Sequence, residues 1–162
     1  MSVALRPFLA TDAPRCAAIF RASIEEIASE DYSPAQCEAW AGRADDLEAF
    51  AGSLAAMLTL AAVDDGEVVG FASPKGPGHI EMIYVNPEFA QAGVGATLLG
   101  ALETIARGRG ATQLTAEVSD TAKPLFDRRE FVAVERIVKR IDDEWLGATT
   151  MSKTLAPKRA EP

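Results

Sequence analysis

The hydrophobic pattern changes from that of a strand to that of a helix in the stretch Ile83-Tyr84-Val85-Asn86-Pro87-Glu88-Phe89-Ala90-Gln91-Ala92-Gly93-Val94-Gly95. Residues 79–85 before the loop have the length and apolar content of a strand. After the loop, apolar residues recur at the spacing of one helix face: Val94, Leu98, Leu102 and Ile105. With a second strand predicted over 112–118, this stretch is the first half of a parallel β-α-β crossover.

The glycines of the loop favour an anion-binding helix start. Unpaired N–H groups and the helix dipole attract a pyrophosphate there, and Gly93 and Gly95 let phosphates approach the backbone closely. Two glycines are equally typical of tight packing, so that alternative stays open. The loop is not a dinucleotide fingerprint, because position 98 is Leu98, and no Gly-Lys-Ser/Thr follows to make it a P-loop.

Further elements follow on both sides of this unit. Strands are predicted over 3–8, 57–63, 67–73, 79–85, 112–118, 131–140 and 146–154. Helices are predicted from Thr11 or Asp12 to about Ala28, from Ser33, over 46–56, over 93–107, and from Asp120 or Thr121 to Arg129. Two hairpin-like connections and one crossover predict a mixed sheet with helices on both faces.

Three helix starts carry their own signals. Thr11 or Asp12 offers a side-chain oxygen to cap the first helix. Ser33, followed by Pro34 and Gln36, has the pattern of a capping box. Asp120 or Thr121 is the predicted cap of the last helix.

Composition limits the classes of function. The chain has 162 residues, with 16 basic and 24 acidic side chains and a net charge of −8, which argues against nonspecific nucleic-acid binding. No apolar run approaches the ~18 residues of a membrane span, and the first residues lack the pattern of a signal peptide. Cys16 and Cys37 have no metal or redox spacing. We expect a cytoplasmic protein with free thiols, no metal and no membrane contact, with one domain over 1–155 and a disordered tail over 156–162.

The run from Ile80 to Phe131 resembles the GCN5-related N-acetyltransferases. The strand ending Ile83-Tyr84-Val85, the Gly93-Val94-Gly95 turn, and the later Ser119–Phe126 segment leading to Phe131 carry the resemblance. The implied fold is α/β (α+β mixed), with a mostly antiparallel sheet of six or seven strands, one parallel β-α-β crossover and helices on both faces. Asp31-Tyr32-Ser33-Pro34 and Met151–Leu155 are similar to a small bacterial single-domain branch of that family.

The resemblance implies an acetyl-CoA site. Pantetheine would lie along the strand that ends at Val85, the pyrophosphate on the loop amides, and the thioester near residues 115–118, where the parallel strands part. The implied cofactor-binding residues are Ile83, Tyr84, Val85, Gln91, Ala92, Gly93, Val94, Gly95, Ala96 and Phe126.

Transfer to an amine needs a base, because an ammonium with a pKa near ~10.4 has no lone pair at pH 7. The two-residue period of a strand places His79, Glu81 and Ile83 on one face. The family often has a catalytic glutamate on this strand, which makes Glu81 and His79 the candidates for base and orienting residue. The N–H of Tyr84 or Val85 is the candidate oxyanion donor. The alternative is that His79 and Glu81 are solvated strand residues.

Several positions depart from the family pattern. Phe126 stands where many members have a tyrosine that protonates the leaving thiolate, so that role is vacant or belongs to Tyr84 or Tyr32. Ala90 replaces the usual Gln or Arg before the loop glycines, and Ala148 stands where some members of the branch have Asn. Glu130 replaces the glycine before Phe131.

The acceptor amine is left open by the sequence. Asp31, Tyr32 and Trp40 lie where the family lines its acceptor pocket, and an aromatic with a carboxylate could bind a cationic amine. The alternative is a helix start with a packed aromatic anchor. The acceptor is a small-molecule, peptide or protein amine, and the last strands could pair across a homodimer.

Three functions are consistent with these residues. The first is an N-acetyltransferase that moves an acetyl group from acetyl-CoA to a primary amine by direct attack. The second is an acyl-CoA-binding regulatory or sensor domain without turnover, which Phe126, Ala90 and Ala148 motivate. The third is a nucleotide-binding domain unrelated to CoA.

Overall fold

A computed structural model describes residues 3–156. The strands are β1 (Ala4–Pro7), β2 (Leu60–Asp64), β3 (Glu67–Lys75), β4 (His79–Val85), β5 (Gln113–Ser119), β6 (Val132–Ile141) and β7 (Glu144–Thr154). The helices are α1 (Ala13–Glu26), α2 (Pro34–Ala41), α3 (Leu47–Ala56), α4 (Val94–Gly108) and α5 (Lys123–Arg128). Apart from Ala156, the predicted disordered tail lies outside the described residues.

The strands form one seven-stranded sheet in the order β1-β2-β3-β4-β5-β7-β6. All neighbouring pairs are antiparallel except β4 and β5, which are parallel and joined by α4. The predicted mixed α/β fold is therefore confirmed. Residues 3–156 contain three hairpins rather than the two predicted, since β3 also returns directly into β4.

Helices cover both faces of the sheet and divide the core in two. Consecutive strand residues point to opposite faces. Ala61 therefore packs with Phe20 of α1, on the α1–α3 side, whereas Ala62 packs with Leu98 of α4. No helix within residues 3–156 combines the length and the apolar content that crossing a membrane requires.

The capping box at α2 forms as predicted. Ser33 Oγ accepts from the Gln36 N–H at 3.1 Å, and Gln36 Oε1 accepts from the Ser33 N–H at 2.8 Å. Asp46 caps α3 by accepting from the Ala49 N–H at 3.0 Å. These local hydrogen bonds join residues only three positions apart, which is why the sequence pattern predicts them.

Two other predicted caps are wrong. The Asp12 carboxylate accepts from the Leu9 N–H and binds Arg6, whose hydrogen bond lowers the pKa of Asp12. At α5 the N-cap position is Ala122, where no side-chain cap forms. Ser119 Oγ accepts from the Ala122 N–H at 3.1 Å in the turn before the helix. Asp120 and Thr121 instead bond to residues remote in sequence. An ion pair or a distant partner thus outcompetes the local cap.

Two predicted boundaries also differ. The second strand begins at Leu60 and not at Met57, because Thr59 Oγ1 donates to the Leu54 carbonyl and Met57–Thr59 close α3. The first helix ends at Glu26, and a separate 3₁₀ turn follows over Ala28–Glu30.

Glu130 adopts the left-handed conformation that glycine favours, with φ +69°. That conformation costs an ordinary L-residue about 1–2 kcal/mol, and glycine avoids this cost. Glycine in turn loses more conformational entropy on folding, which offsets about 0.5–1 kcal/mol of the gain. We predict that Glu130→Gly raises the free energy of unfolding by about 1 kcal/mol, measured by urea denaturation. Glu135→Gly, at an exposed position in β6, is the control and should lower it. A destabilised Glu130→Gly protein would show that the Glu130 side chain contributes more than its backbone strain costs.

Candidate active site

The two parallel strands separate almost as soon as they meet. β4 and β5 pair only at His79–Thr115 and Ile80–Ala116. The register of β4 against β3 shifts at the same point: Ser73 lies opposite Met82, and Pro74 lies opposite Ile80. Glu81 is therefore the extra residue of a β-bulge, which bends β4 away from its parallel neighbour.

The bulge also changes which face each residue of β4 occupies. Ile80 and Ile83 both pack on the α4 side of the sheet, whereas Met82 and Tyr84 pack on the α1–α3 side. The prediction that His79, Glu81 and Ile83 share one face is therefore wrong for Ile83. A strict two-residue period holds only for a strand without a bulge.

Two cavities meet at this separation. The loop cavity, of about 520 Å³, lies between the end of β4, the loop before α4, and α5. The inner cavity, of about 400 Å³, lies among α1, α2, α3, α5 and the strands β4 to β7. The two cavities share five lining residues, which mark their junction: Trp40, Ile83, Tyr84, Ser119 and Ala122.

The loop cavity is rich in free backbone donors. Gly93 has φ +82° and is the N-cap of α4. Within residues 3–156, the N–H groups from Gly93 to Ala96 make no backbone hydrogen bond, as expected for a helix start. The Ala92 N–H differs, because it donates to the Phe89 carbonyl at 3.1 Å. The helix dipole and the free donors together suit an anion.

Gly95 and Gly93 serve different purposes. A Cβ on Gly95 would lie 2.9 Å from Leu125 Cδ2, so this glycine lets α5 pack against α4. A Cβ on Gly93 would meet nothing within 4 Å, and its positive φ is what requires glycine. The packing alternative thus holds for Gly95 and not for Gly93.

The end of β4 presents its backbone to the cleft at alternate residues. The Asn86 N–H donates to the Val69 carbonyl at 2.8 Å, which fixes the hydrogen-bonding phase of the β3–β4 ladder. Hydrogen-bonded and non-bonded pairs alternate in an antiparallel ladder, so Tyr84 and Phe71 form a hydrogen-bonded pair. The backbone N–H and C=O groups of Ile83 and Val85 therefore point away from β3. Of the two predicted oxyanion donors, the Tyr84 N–H is used within the sheet, whereas the Val85 N–H faces away from β3 toward the cleft.

Phe126 lines the inner cavity and not the loop cavity. Its side chain is buried, with its ring edge-on to Phe131 at a centroid distance of 5.0 Å. Arg128 of the same helix lines the loop cavity. Arg129 does not, because its guanidinium binds the buried Glu103 carboxylate.

Several polar side chains lie beside the inner cavity, next to the two residue pairs that join β4 and β5. Glu81 lines the cavity, and His79 lies behind it with Nε2 3.7 Å from Glu81 Oε2. The other ring nitrogen of His79, Nδ1, lies 2.8 Å from Thr115 Oγ1. Thr115 Oγ1 also donates to the Gly78 carbonyl at 3.3 Å, so the hydroxyl links the histidine to the start of β4.

Two residues of this group were missed by the sequence reasoning. Glu117 and Lys139 both line the inner cavity and form an ion pair at 2.8 Å. The Lys139 hydrogen bond lowers the pKa of Glu117. The two-residue period from Thr115 could have identified Glu117, whereas Lys139 comes from a strand whose place in the sheet the sequence does not indicate.

The predicted acceptor residues have different surroundings. Tyr32 and Trp40 line the inner cavity, and their rings meet edge-on at 5.6 Å. Tyr32 Oη donates to the Gly147 carbonyl at 2.6 Å and accepts from the Asp120 N–H at 2.9 Å, so its hydroxyl also joins β7 to the end of β5. Asp31 lines neither cavity, and its carboxylate accepts from Thr121 Oγ1 at 2.9 Å.

Tyr84 is a protonated phenol held between the cavities. Trp40 Nε1 donates to its hydroxyl at 3.2 Å, and its ring packs edge-on against Phe20 at 4.7 Å. Burial raises the pKa of Tyr84 to about 12. The hydroxyl therefore keeps its proton at neutral pH.

Comparisons with known proteins agree with this geometry. Residues 28–155 match the family model of the acetyltransferase (GNAT) domain. The chain is 32% identical over 135 residues to the uncharacterized N-acetyltransferase YafP of Escherichia coli, covering 83% of this chain and 85% of YafP.

Solved structures show the same fold. A GCN5-related N-acetyltransferase from Rhodopseudomonas palustris is 50% identical, with a TM-score of 0.93 over 96% of this chain and 97% of that one. The PaiA N-acetyltransferase of Thermoplasma acidophilum, solved with coenzyme A, is 19% identical, with a TM-score of 0.76 over 95% and 99%.

A strand separation beside a donor-rich helix start fits an acyltransferase that takes its acyl group from acyl-CoA. The chain belongs to the GNAT family and is an acetyl-CoA-dependent N-acetyltransferase.

The loop glycine provides a test of the cofactor site. We predict that Gly93→Glu weakens acetyl-CoA binding about tenfold or more, since like charges 4 Å apart repel by about 1–4 kcal/mol in water or near a protein surface. Calorimetric titration measures the affinity. Gly66→Glu is a matched control, because Gly66 has φ +80° and equally open surroundings in the β2–β3 turn. Equal affinities for the two variants would remove the loop from the site.

Proposed function

We propose that the chain acetylates a primary amine by direct attack on acetyl-CoA at the junction of the loop and inner cavities. The observation that carries this proposal is the shared wall of the two cavities, where β4 leaves β5. Cofactor and acceptor would enter from opposite sides and meet there. Cys16 and Cys37 are both buried, and burial raises the pKa of each thiol, which favours direct attack over an acyl-cysteine intermediate.

Acetyl-CoA would be held mainly by backbone groups. The N–H groups from Gly93 to Ala96 would bind the pyrophosphate at the start of α4. Ile83 and Val85 would pair with the pantetheine amides as a strand does. Arg128 is close enough to the loop cavity to meet a further phosphate.

Glu81 is our candidate for the base. It lines the inner cavity, where it can take a proton from the incoming ammonium directly or through water, and His79 orients it from behind. The neutral amine then attacks the thioester carbonyl, and the Val85 N–H stabilises the oxyanion.

The leaving thiolate needs no tyrosine at position 126. A thiol has a pKa of about 8.5, so its thiolate leaves far more easily than an alkoxide would. The ammonium formed by attack carries a proton that the thiolate or solvent can accept. Tyr84 is the second candidate donor, because its hydroxyl accepts from Trp40 and keeps its own proton.

Location and assembly are also part of the proposal. The free cysteines favour a reducing compartment such as the cytoplasm. We expect a second copy of the chain to pair with β6, which is an edge strand. This strand has three exposed valines, Val132, Val134 and Val138. Antiparallel pairing of β6 with its own copy would satisfy both edges, and light scattering after gel filtration measures the result. A monomer at high concentration would contradict it.

We predict that Glu81→Gln lowers kcat about 100-fold while changing the acetyl-CoA dissociation constant less than threefold. The reason is that a general base contributes about 10²–10⁴-fold, whereas cofactor binding rests on the backbone. Thiol release against pH measures both effects, and the variant should lose the acidic limb of the wild-type profile. Glu67→Gln, an exposed residue at the start of β3, is the control. An unchanged profile would assign the base elsewhere.

Binding and turnover together separate this function from its alternatives. Acetyl-CoA, CoA and ADP are titrated calorimetrically, and thiol release is then followed with a panel of amines. We expect one saturable site that needs the pantetheine arm, together with amine-dependent release. Binding without release for any amine would favour a sensor domain, and equal binding of ADP and CoA would favour a nucleotide site.

A further inference from the structure

The inner cavity contains two opposite charges that the protein does not neutralise with each other. Four ionic side chains line it, and Glu117 and Lys139 form a pair at 2.8 Å. That leaves Glu81 at the bulge of β4 and Arg43 in the 3₁₀ turn after α2.

Arg43 has no carboxylate partner among residues 3–156. The acidic residue nearest to it in the chain, Asp45, lies two positions on and is bound by Arg21 at 3.0 Å. Arg21 also donates to the Ala44 carbonyl at 2.9 Å, so the turn is held without any contribution from Arg43. The Arg43 guanidinium is left to face the cavity with its five donors available.

Part of the cavity wall is apolar and aromatic, and Arg43 and Glu81 both act electrostatically on one member of it, Tyr84. Phe20, Phe50 and Tyr84 line it and pack on one another, with centroid distances of 5.4 Å from Phe20 to Phe50 and 4.7 Å from Phe20 to Tyr84. A ligand that matches this cavity carries a basic group for Glu81, an anionic group for Arg43 and an apolar part against the rings.

We propose that the acceptor is an amine that carries its own carboxylate, of the amino-acid type, and that Arg43 binds this carboxylate while the amine lies beside Glu81. This inference rests on the proposed function. A single planar guanidinium matches a carboxylate through two parallel hydrogen bonds. A phosphate would call for several cationic donors, whereas the other cation in the described cavity lining, Lys139, is already paired with Glu117.

The volume of the inner cavity is consistent with an acceptor of the amino-acid type. About 400 Å³ lies in the range of small-molecule sites and holds an amino acid with a large apolar side chain. Arg43 is exposed, so it stands at the mouth of the cavity, where it can meet an incoming anion. The Arg43 site would therefore select acceptors before the amine reaches the thioester.

The test compares pairs of amines that differ only by the carboxylate. Phenylalanine is paired with phenethylamine, leucine with 3-methylbutylamine, and 6-aminohexanoate with pentylamine. Thiol release at saturating acetyl-CoA gives kcat/KM, and calorimetry on the CoA-saturated protein gives affinity independently of turnover. We expect at least one carboxylate-bearing amine to exceed its partner about tenfold or more, as a charge-assisted double hydrogen bond would give.

Variants then identify the residue responsible. Arg43→Gln should abolish the preference by raising KM for the carboxylate-bearing amine, while the partner amine changes less than twofold. Arg43→Lys, which keeps the charge but not the planar fork, should retain part of it. Arg107→Gln, in the last turn of α4 and outside both cavities, is the control for loss of one positive charge.

The outcomes separate this inference from the proposed function. Acetyl-CoA binding and turnover without any preference for the carboxylate would overturn the inference alone. A preference that survives Arg43→Gln would also overturn it. Failure of acetyl-CoA to bind would overturn the proposed function, whereas amino-acid binding that is sensitive to Arg43 would still support the Arg43 site.

Discussion

The separation of β4 from β5 after two paired residues is the constraint on which the rest of the site depends. A continued parallel ladder would satisfy the backbone of Ile83 and Val85 and close both cavities. The bulge at Glu81 ends that ladder, so polar backbone groups in the middle of the sheet need another partner. It also brings the Glu81 carboxylate to the inner cavity. One inserted residue thus creates the cofactor edge and positions the candidate base.

A buried cluster of ionic side chains holds α5 in place beside the loop cavity. Glu103 of α4 is almost fully buried and binds both Arg129, at the end of α5, and Lys153 of β7. Burial raises the pKa of Glu103, but the hydrogen bonds from Lys153 and Arg129 outweigh it, and the net shift is downward. Removing one partner from such a cluster costs about 3–5 kcal/mol. The cluster therefore fixes α5 against α4, where Leu125 covers Gly95.

Local signals allowed much of the fold to be predicted. The α2 capping box and the strand–loop–helix at Gly93 depend on residues within a few positions of each other, and both occur in the structure. Predictions failed where a distant partner competes. Asp12 binds Arg6 instead of capping α1, and the side chain of Ile83 changes face because a bulge depends on the register with β3. In the site, the cleft edge of β4 was predictable, whereas Lys139 and Arg43 enter from elements whose positions no local pattern indicates.

The sequence by itself determined the order of strands and helices, the glycine-bearing loop at the start of α4, and the family to which the chain belongs. These follow from periodicity, backbone preference and short motifs, which act between near neighbours. Only the tertiary structure decided that Glu81 lies on a bulge, that Glu117 and Lys139 neutralise each other, and that Arg43 faces the inner cavity with no carboxylate partner in the part of the chain that is described. The reason is physical: charge pairing, strand register and cavity shape depend on distances between residues far apart in the chain, which exist only once the sheet has formed.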